Sequence, residues 1–451
     1  MTKAKNVDVL DGDIDSTFRK LAAPLALGFV LNIVNGWVDK IYVSHLGEIE
    51  IASIGVSEQI SLLLFALGMG FAIGTGVVVA RRIGEGKQDE ANNIATQALT
   101  IMFVYAIVVT LICYLSLSPL LSALGYSGEI NFYAIEYMHA LLLGAPFNFL
   151  IFQSNAIVRS SGNTLFPMYM IGLTIIINAI LAPLLIFDFI LPSGLGIFGA
   201  GLATAIAQFI GFGIALFFLI KGYTPVKLKL KEFKPDIGII KVIVKRGIPS
   251  TLQYLALSFN RMGMFALANT YGVKVVAAYT LGLSFDLFSL MPIFGAAAAV
   301  EIISGINRGA GKIHRIFDYF YSAIKQITFL VIPLMALAFF GGEKFASMFS
   351  DDPEIIKETG KFLSITSLSY MFFAIGVICT RVVSGAGDTK RSFFIYSGVL
   401  FVVQLPLAWI LAKFFNMQQS GLYYGIFSSY LFFMFLGLYH VYRMKWLRVK
   451  F

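Results

Sequence analysis

Asn35 and Asp39 stand four residues apart in the stretch from Asn35 to Gly47. On a helix that spacing puts a carboxamide and a carboxylate on one face, where the amide can donate to the acid or share a proton or cation with it. Asp39 arrives at the end of an apolar run, Leu21 to Val38, that has no charged residue. A carboxylate inside hydrocarbon costs roughly 2.5–3.5 kcal/mol on insertion scales, so an acid kept there is a candidate for carrying a proton or an ion. The competing reading puts Asp39 at the interface, solvated and paired with the adjacent Lys40.

Other polar groups fall inside apolar runs. Asn178 lies about a turn before Pro183, whose missing N–H frees a carbonyl that can line a cavity; alternatively Asn178 simply bonds a neighbouring helix. Gln153 and Asn155 carry the same two readings, with interhelical bonding favoured. Glu58, Asp286, Glu301 and Arg261 are the remaining ionisable groups at apparent membrane depth. An unpaired Arg261 is costly there, so a salt bridge to Asp286 or Glu301 is expected, with a cavity-facing polar patch as the alternative.

The elements that position these groups follow from hydropathy. The chain has 451 residues, 58% of them hydrophobic and only 13% charged, and a mean hydropathy of +0.81. Soluble domains carry about 25% charged residues, so the expectation is an all-α membrane protein. Twelve runs approach the ~20 residues a bilayer needs: 21–43, 52–80, 95–118, 132–158, 165–188, 196–220, 246–270, 276–304, 320–342, 357–381, 392–413 and 420–442. A turn signal at Asp188 and Pro192 to Gly194 separates the fifth from the sixth. Residues 1–20 read as a cytoplasmic leader, with Asp8, Asp11, Asp13 and Asp15 preceding the helix caps Ser16 and Thr17. They are not a signal peptide, since charge is spread through them and no cleavage pattern follows. The Lys-rich stretch 221–245 reads as the linker between an N-lobe, 21–220, and a C-lobe, 246–442, with a short tail at 443–451. Placing both termini in the cytoplasm of a cell-membrane protein puts 26 of the 34 Lys and Arg on the inner side and six on the outer, the expected bias.

The chain also repeats. Shifted by 225 residues it overlays on itself without gaps: Pro24 meets Pro249, and Asn35 meets Asn260. Gly47, Gly70, Gly84, Gly86, Gly162 and Gly196 meet Gly272, Gly295, Gly309, Gly311, Gly387 and Gly421, six matches where about two are expected by chance. Six spans per half is an even number, so the halves run parallel and form two pseudo-symmetric six-helix lobes, with a cavity expected at their interface. Asp39 breaks the symmetry, since its counterpart is Met264.

Several classes are set aside. Cys113, Cys379 and four scattered histidines (His45, His139, His314 and His440) offer no disulfide framework, metal site or catalytic constellation, so neither cofactor nor enzyme is expected. The net charge of +9 sits between apolar runs, so nucleic acid is not an expected partner. The glycine-rich connections 81–87 and 307–312 lack the Lys-Ser/Thr of a phosphate loop, which leaves an ion gradient as the energy source.

The run from Asp39 to Gly47, followed by Ile51 to Gly55, resembles the first-helix signature of the multidrug and toxic compound extrusion (MATE) family. The paired loops at 84–86 and 309–311, and the segments Arg159 to Thr164 and Ser384 to Thr389, are similar to that family's repeated elements. The resemblance covers essentially the whole chain. It implies twelve helices in two V-shaped lobes, exporting organic cations or drugs against a proton or sodium gradient by alternating access. A first-helix acid like Asp39 resembles the prokaryotic DNA-damage-inducible (DinF-like) branch. Asn178 matches the family's helix-five Asn, but Ala182 stands where a second acid is common. Ala200 stands where helix six often has Thr, with Thr204 a turn later, and Leu257 and Phe373 stand near the C-lobe acids of other branches. One carboxylate with few oxygens favours protons over sodium as the coupling ion. The i, i+4 spacing of Asn35 and the resemblance at Asp39 and Asn178 together assign coupling to Asp39, Asn35 and Asn178. The remaining polar groups at membrane depth, Gln153, Asn155, Thr204, Asn260, Arg261, Asp286 and Glu301, are candidates for the substrate cavity of a monomer. A lipid-linked oligosaccharide flippase of the same superfamily is the alternative; it calls for a cavity rich in Arg and Lys, for which Arg261 is the main candidate.

Overall fold

The computed structural model describes residues 7–123, 126–187, 194–229 and 234–449. The turn signal at 188–193 and Lys231 of the linker lie outside these. Among the described residues helices are the regular structure, joined by short turns and loops, with no strand. The first half carries α1 (Ile14–Val43), α2 (Glu48–Gly84), α3 (Gln88–Ala123), α4 (Gly128–Arg159), α5 (Leu165–Ile186) and α6 (Gly196–Lys221). The second carries α7 (Ile237–Asn269), α8 (Val273–Gly309), α9 (Ile313–Ala346), α10 (Pro353–Gly385), α11 (Thr389–Phe414) and α12 (Ser420–Tyr442). Hydrocarbon leaves backbone N–H and C=O groups no water to bond, so each apolar run closes its hydrogen bonds within itself. Eleven of the helices are long and apolar enough to cross a membrane. The other, α7, is diluted by Lys241, Lys245, Arg246 and Arg261. The helices outrun the apolar cores because their polar first turns, such as Gln88 to Glu90 in α3, continue the same helix. At the start of α1 the cap is Asp13, whose Oδ2 accepts from Ser16 N at 2.8 Å, and not Ser16 or Thr17.

The chain forms two compact units. Among the described residues one holds those from 27 to 251; the other holds 8–26 and 252–449. Each therefore takes one half of α1 and one half of α7. In the first unit α4 is central, packed against α2, α3, α5 and α6. In the second, α8 and α9 pack on α10, and α10 on α12.

The sequence repeat has a steric content. A Cβ on Gly70 would lie 2.2 Å from Thr251 Cα, and one on Gly295 would lie 2.5 Å from Ala26 Cα. Both partners are the same 225 residues apart as the glycines. So α2 meets α7, and α8 meets α1, by the same backbone-to-backbone approach, and only glycine fits it. Gly295→Ala should cost about 1–3 kcal/mol, because neither backbone can give way. Thermal unfolding in detergent measures this against Gly36→Ala, where a Cβ meets nothing within 4 Å. The turns after α2 and α8 repeat as well: Gly86 and Gly311 both adopt φ +74°, a left-handed conformation that spares only glycine.

Each lobe-crossing helix is preceded by a strap. Ahead of α1, Val9 O accepts from Tyr319 OH at 3.1 Å, and in the first turn of α1 Asp15 Oδ1 accepts from Ser322 Oγ at 2.6 Å; both donors are on α9. Lys312 Nζ lies 2.6 Å from Asp11 Oδ1. Ahead of α7, the backbone N–H groups of Lys227 and Lys229 donate to Asn92 Oδ1 (2.9 Å) and Thr96 Oγ1 (3.0 Å) on α3. The hydrogen bond and charge of Lys312 hold the Asp11 carboxyl below its usual range. A depressed carboxyl contributes stability above its unfolded value, near 3.9, and loses it as the pH falls through the lower folded value. Protection factors for amide exchange at residues 9–16, taken relative to the unstructured chain at each pH, should therefore be flat from about pH 5 to 8 and fall only below about pH 4. The effect should be small, because Asp11 is exposed and its pair is screened by water.

Candidate functional site

Asp39 lies in the last turns of α1 and is only 5% exposed, although it follows a helix whose faces are largely open. Three helices of the first unit converge on it. Asn178 Nδ2 of α5 donates to Oδ1 at 2.8 Å. Thr204 Oγ1 of α6 and Tyr137 OH of α4 lie 3.2 and 3.4 Å from Oδ2. Thr204 Oγ1 is also 3.3 Å from Asn178 Oδ1 and 3.3 Å from Ala200 O. A hydroxyl has one proton, so Thr204 can serve the carboxylate or Asn178, but not both at once. All three groups around the acid are neutral. Among the described residues Asp39 has no ion pair: Lys40 turns instead to Glu58, at 2.7 Å, and both of those are largely exposed.

Local sequence explains the convergence. Pro183 follows Asn178 by five residues in α5, and Ala182 beside it is fully buried, an apolar wall where a second acid would have stood. Ala200, one turn before Thr204, is likewise fully buried and leaves room for the hydroxyl to approach. The Ser53 and Ser57 hydroxyls of α2 are shared between carbonyls of their own helix, Ile49 O (2.8 Å) and Ser53 O (2.9 Å), and the α4 carbonyls of Ile130 (3.1 Å) and Ala134 (3.4 Å), one turn apart, so α2 packs closely on the α4 turns that lead to Tyr137. Tyr137 is the member that sequence reasoning missed, because nothing marks it among 20 tyrosines.

The other candidates lie apart from this cluster. Asn35 is half-buried on α1 and gives Asp39 no hydrogen bond among the described residues; α4, α5 and α6 supply the partners of both carboxylate oxygens. Gln153 and Asn155 are buried on α4, roughly 24 and 27 Å along the helix from Tyr137 at 1.5 Å per residue. Both polar atoms of the Gln153 side chain, and Asn155 Oδ1, have no hydrogen-bond partner among the described residues.

In the second unit Asn260 Nδ2 donates at 2.9 Å to Leu400 O, within a widened π-helical stretch of α11, Val399–Gln404. Such a stretch loosens the regular backbone ladder, and the amide satisfies a carbonyl there. The expected partnership of Arg261 is not found: it is half-buried and forms no ion pair with a described residue. Asp286 accepts from the Tyr370 hydroxyl instead. Glu301 pairs with Arg381 at 3.4 Å and accepts from Ser384 Oγ at 2.6 Å. Arg381 sits on α10, one helical turn before Gly385, whose missing side chain lets α10 touch the Glu301 carbonyl; packing, not sequence proximity, chose the partner.

Comparison with known proteins bears on this geometry. The family model MatE matches residues 24–184 and again 249–410, once in each half. The chain is 25% identical over 440 residues to the probable multidrug resistance protein NorM of Thermotoga maritima, covering 93% of this chain and 90% of that one. It is 25% identical over 400 residues to the multidrug export protein MepA of Staphylococcus aureus, covering 87% and 86%. Among solved structures, a MATE in complex with MaL6 superposes with a TM-score of 0.92 at 25% identity over 99% of both chains. A MOP superfamily transporter from Pyrococcus furiosus superposes with a TM-score of 0.93 at 24% identity over the whole of both chains; the polarity of its binding pocket is reversed, suggesting a different function for that protein.

Proposed function

The chain belongs to the MatE family of membrane transporters, and from that premise we propose that it is a secondary active multidrug efflux antiporter, exchanging organic cations or drugs for protons. In this reading it acts by alternating access, as a monomer in the cell membrane with both termini cytoplasmic, and belongs to the branch whose coupling acid is on the first helix.

The observation that carries the reading is Asp39: a buried carboxylate met by Asn178, Thr204 and Tyr137 and, among the described residues, by no cation. A structural acid at this depth is normally neutralised by Arg or Lys. One surrounded by neutral donors can exchange a proton without leaving a partner charge stranded.

The hydrogen bonds supply the switch. With Asp39 ionised, Asn178, Thr204 and Tyr137 all donate to it. When a proton binds Oδ2, the acid becomes a donor, and Thr204 Oγ1 can accept from it. The Thr204 hydroxyl hydrogen then turns to Asn178 Oδ1, 3.3 Å away. One proton thus rewires the junction of α1, α5 and α6, which biases two arrangements of α1 against the lobe. Neutral Asp39 no longer attracts a cationic substrate, so proton and substrate compete. Sodium is the weaker candidate, since Ala182 and Ala200 remove two side-chain oxygens that could help strip its water.

The test is efflux of a fluorescent organic cation from proteoliposomes under an imposed pH gradient, with and without sodium. Efflux that follows the pH gradient in sodium-free buffer is expected; efflux that requires sodium overturns proton coupling. A second reading, a lipid-linked oligosaccharide flippase, is favoured by Arg261, half-buried and with no ion pair among the described residues. It predicts no cation efflux under either gradient and loss of lipid translocation in Arg261→Gln.

A further inference from the structure

The second unit carries a groove of about 390 Å³, open at the surface, between the start of α11 and the end of α12. Its polar wall is Asp388, Lys390, Arg391 and His440, and its apolar wall is Phe394, Ile395 and Leu436. The one acid is already engaged. Asp388 caps α11 through its Oδ1, which accepts from Arg391 N at 3.0 Å, and its Oδ2 lies 3.0 Å from Arg391 Nη1. Lys390 is exposed and free of any ion pair among the described residues, with its Nζ 5.9 Å above the Phe394 ring. Arg443 and Lys445, just beyond α12 and outside the lining of the groove, are close enough for their charges to act on His440; Arg443 lies 5.3 Å from the Tyr439 ring and donates to its hydroxyl. Lys390 and Arg391 thus line the groove beside one committed acid, and Arg443 and Lys445 add positive charge at its His440 end.

The apolar wall continues beyond the groove. Phe394 is 60% exposed and Phe435, next to Leu436 on α12, is 59% exposed. In a membrane protein such surface faces lipid chains. A ligand matching both walls has a negatively charged head for Lys390, His440 and Arg443 and a hydrocarbon tail for Phe394 and Leu436.

The fold does not require this arrangement. In the repeat, Asp388, Lys390, Arg391 and His440 correspond to Asn163, Leu165, Phe166 and Ala215. The first unit closes the same place with Phe166 and Ala215, both buried and uncharged. The charges are an addition to one half only.

We propose that this groove is a binding site for an anionic phospholipid, its phosphodiester held by Lys390, His440 and Arg443 and an acyl chain laid along Phe394 and Leu436. Basic clefts between transmembrane helices at the lysine- and arginine-rich face of a membrane suit such headgroups. The site rests on the reading of the chain as a membrane protein. It does not involve Asp39, so its failure and the failure of proton coupling are separately visible.

Native mass spectrometry of the full chain in detergent tests it, with phosphatidylglycerol, phosphatidylcholine or inorganic phosphate added. Phosphatidylglycerol should be retained on the order of tenfold better than phosphatidylcholine. Lys390→Gln with Arg443→Gln should lose on the order of tenfold of that retention; this variant leaves the Asp388–Arg391 pair intact, and an unchanged melting temperature without lipid shows that it folds. Lys344→Gln, in the last turn of α9, should behave as wild type. Equal retention of the two lipids, or full retention by the double variant, overturns the proposal. Displacement of phosphatidylglycerol by millimolar inorganic phosphate also overturns it, in favour of a soluble anion.

Discussion

Asp39→Asn should reduce efflux driven by a pH gradient to the level of empty liposomes while leaving the protein folded. Asn matches Asp in shape, and its carbonyl oxygen can still accept from Asn178 or Thr204. It cannot gain and lose a proton in the physiological range, so the rewiring at Thr204 never occurs. Stability should change by no more than about 1.5 kcal/mol, as for other near-isosteric exchanges. Asp39→Ala is a different perturbation. It strands the buried amide of Asn178 and the hydroxyl of Tyr137, at about 1–3 kcal/mol per unsatisfied group, so it should lose stability and transport together. The pair of variants separates coupling from folding. Gradient-driven efflux retained in full by Asp39→Asn, with a pH profile like that of the wild type, would remove Asp39 from the mechanism. Tyr137→Phe, which deletes the most distant donor at 3.4 Å, should by contrast keep most of the activity.

Arg381→Met should destabilise the protein by about 3–5 kcal/mol, the usual result of leaving one half of a buried ion pair behind. The Arg381 and Glu301 side chains are only 10% and 12% exposed, and 3.4 Å separates their charged atoms. Removing the cation leaves the Glu301 carboxylate with the Ser384 hydroxyl at 2.6 Å and little else. Arg381→Met combined with Glu301→Met should restore most of the loss, because apolar residues of similar volume can replace a buried pair at little net cost. The repeat supports this: the corresponding positions in the first unit are Gly76 and Ala156, and the same helices pack there without charge. Denaturant unfolding of the single and double variants closes the thermodynamic cycle. A double variant as unstable as the single would mean that Arg381 acts through other contacts, such as Tyr254, whose ring lies 6.0 Å away. A stable double variant that no longer transports would move the pair from scaffold to function.

Much of this architecture is written in the chain as a one-dimensional pattern. Insertion into hydrocarbon is close to a sum of residue transfer energies, so the helical runs can be read from local composition alone. The repeat was equally legible, because the close approaches at Gly70 and Gly295 tolerate no Cβ and so force the same residue into both halves. Asp39 stood out for the same local reason: a carboxylate at the end of an uncharged run is costly wherever its helix packs.

What surrounds that carboxylate was not legible. Its partners come from residues 98, 139 and 165 positions away, and their selection depends on the rotation and depth of α4, α5 and α6. Those are fixed by small residues and serine-to-carbonyl bonds between helices, which leave no signature in hydropathy. Asn35, four residues from Asp39 and the natural guess, was passed over for Tyr137, and Arg261 was passed over by Glu301 in favour of Arg381. Sequence alone thus determined which polar groups enter the membrane region; the tertiary structure decided which of them meet, because a hydrogen bond is won by orientation over a few ångströms and hydropathy carries no orientation.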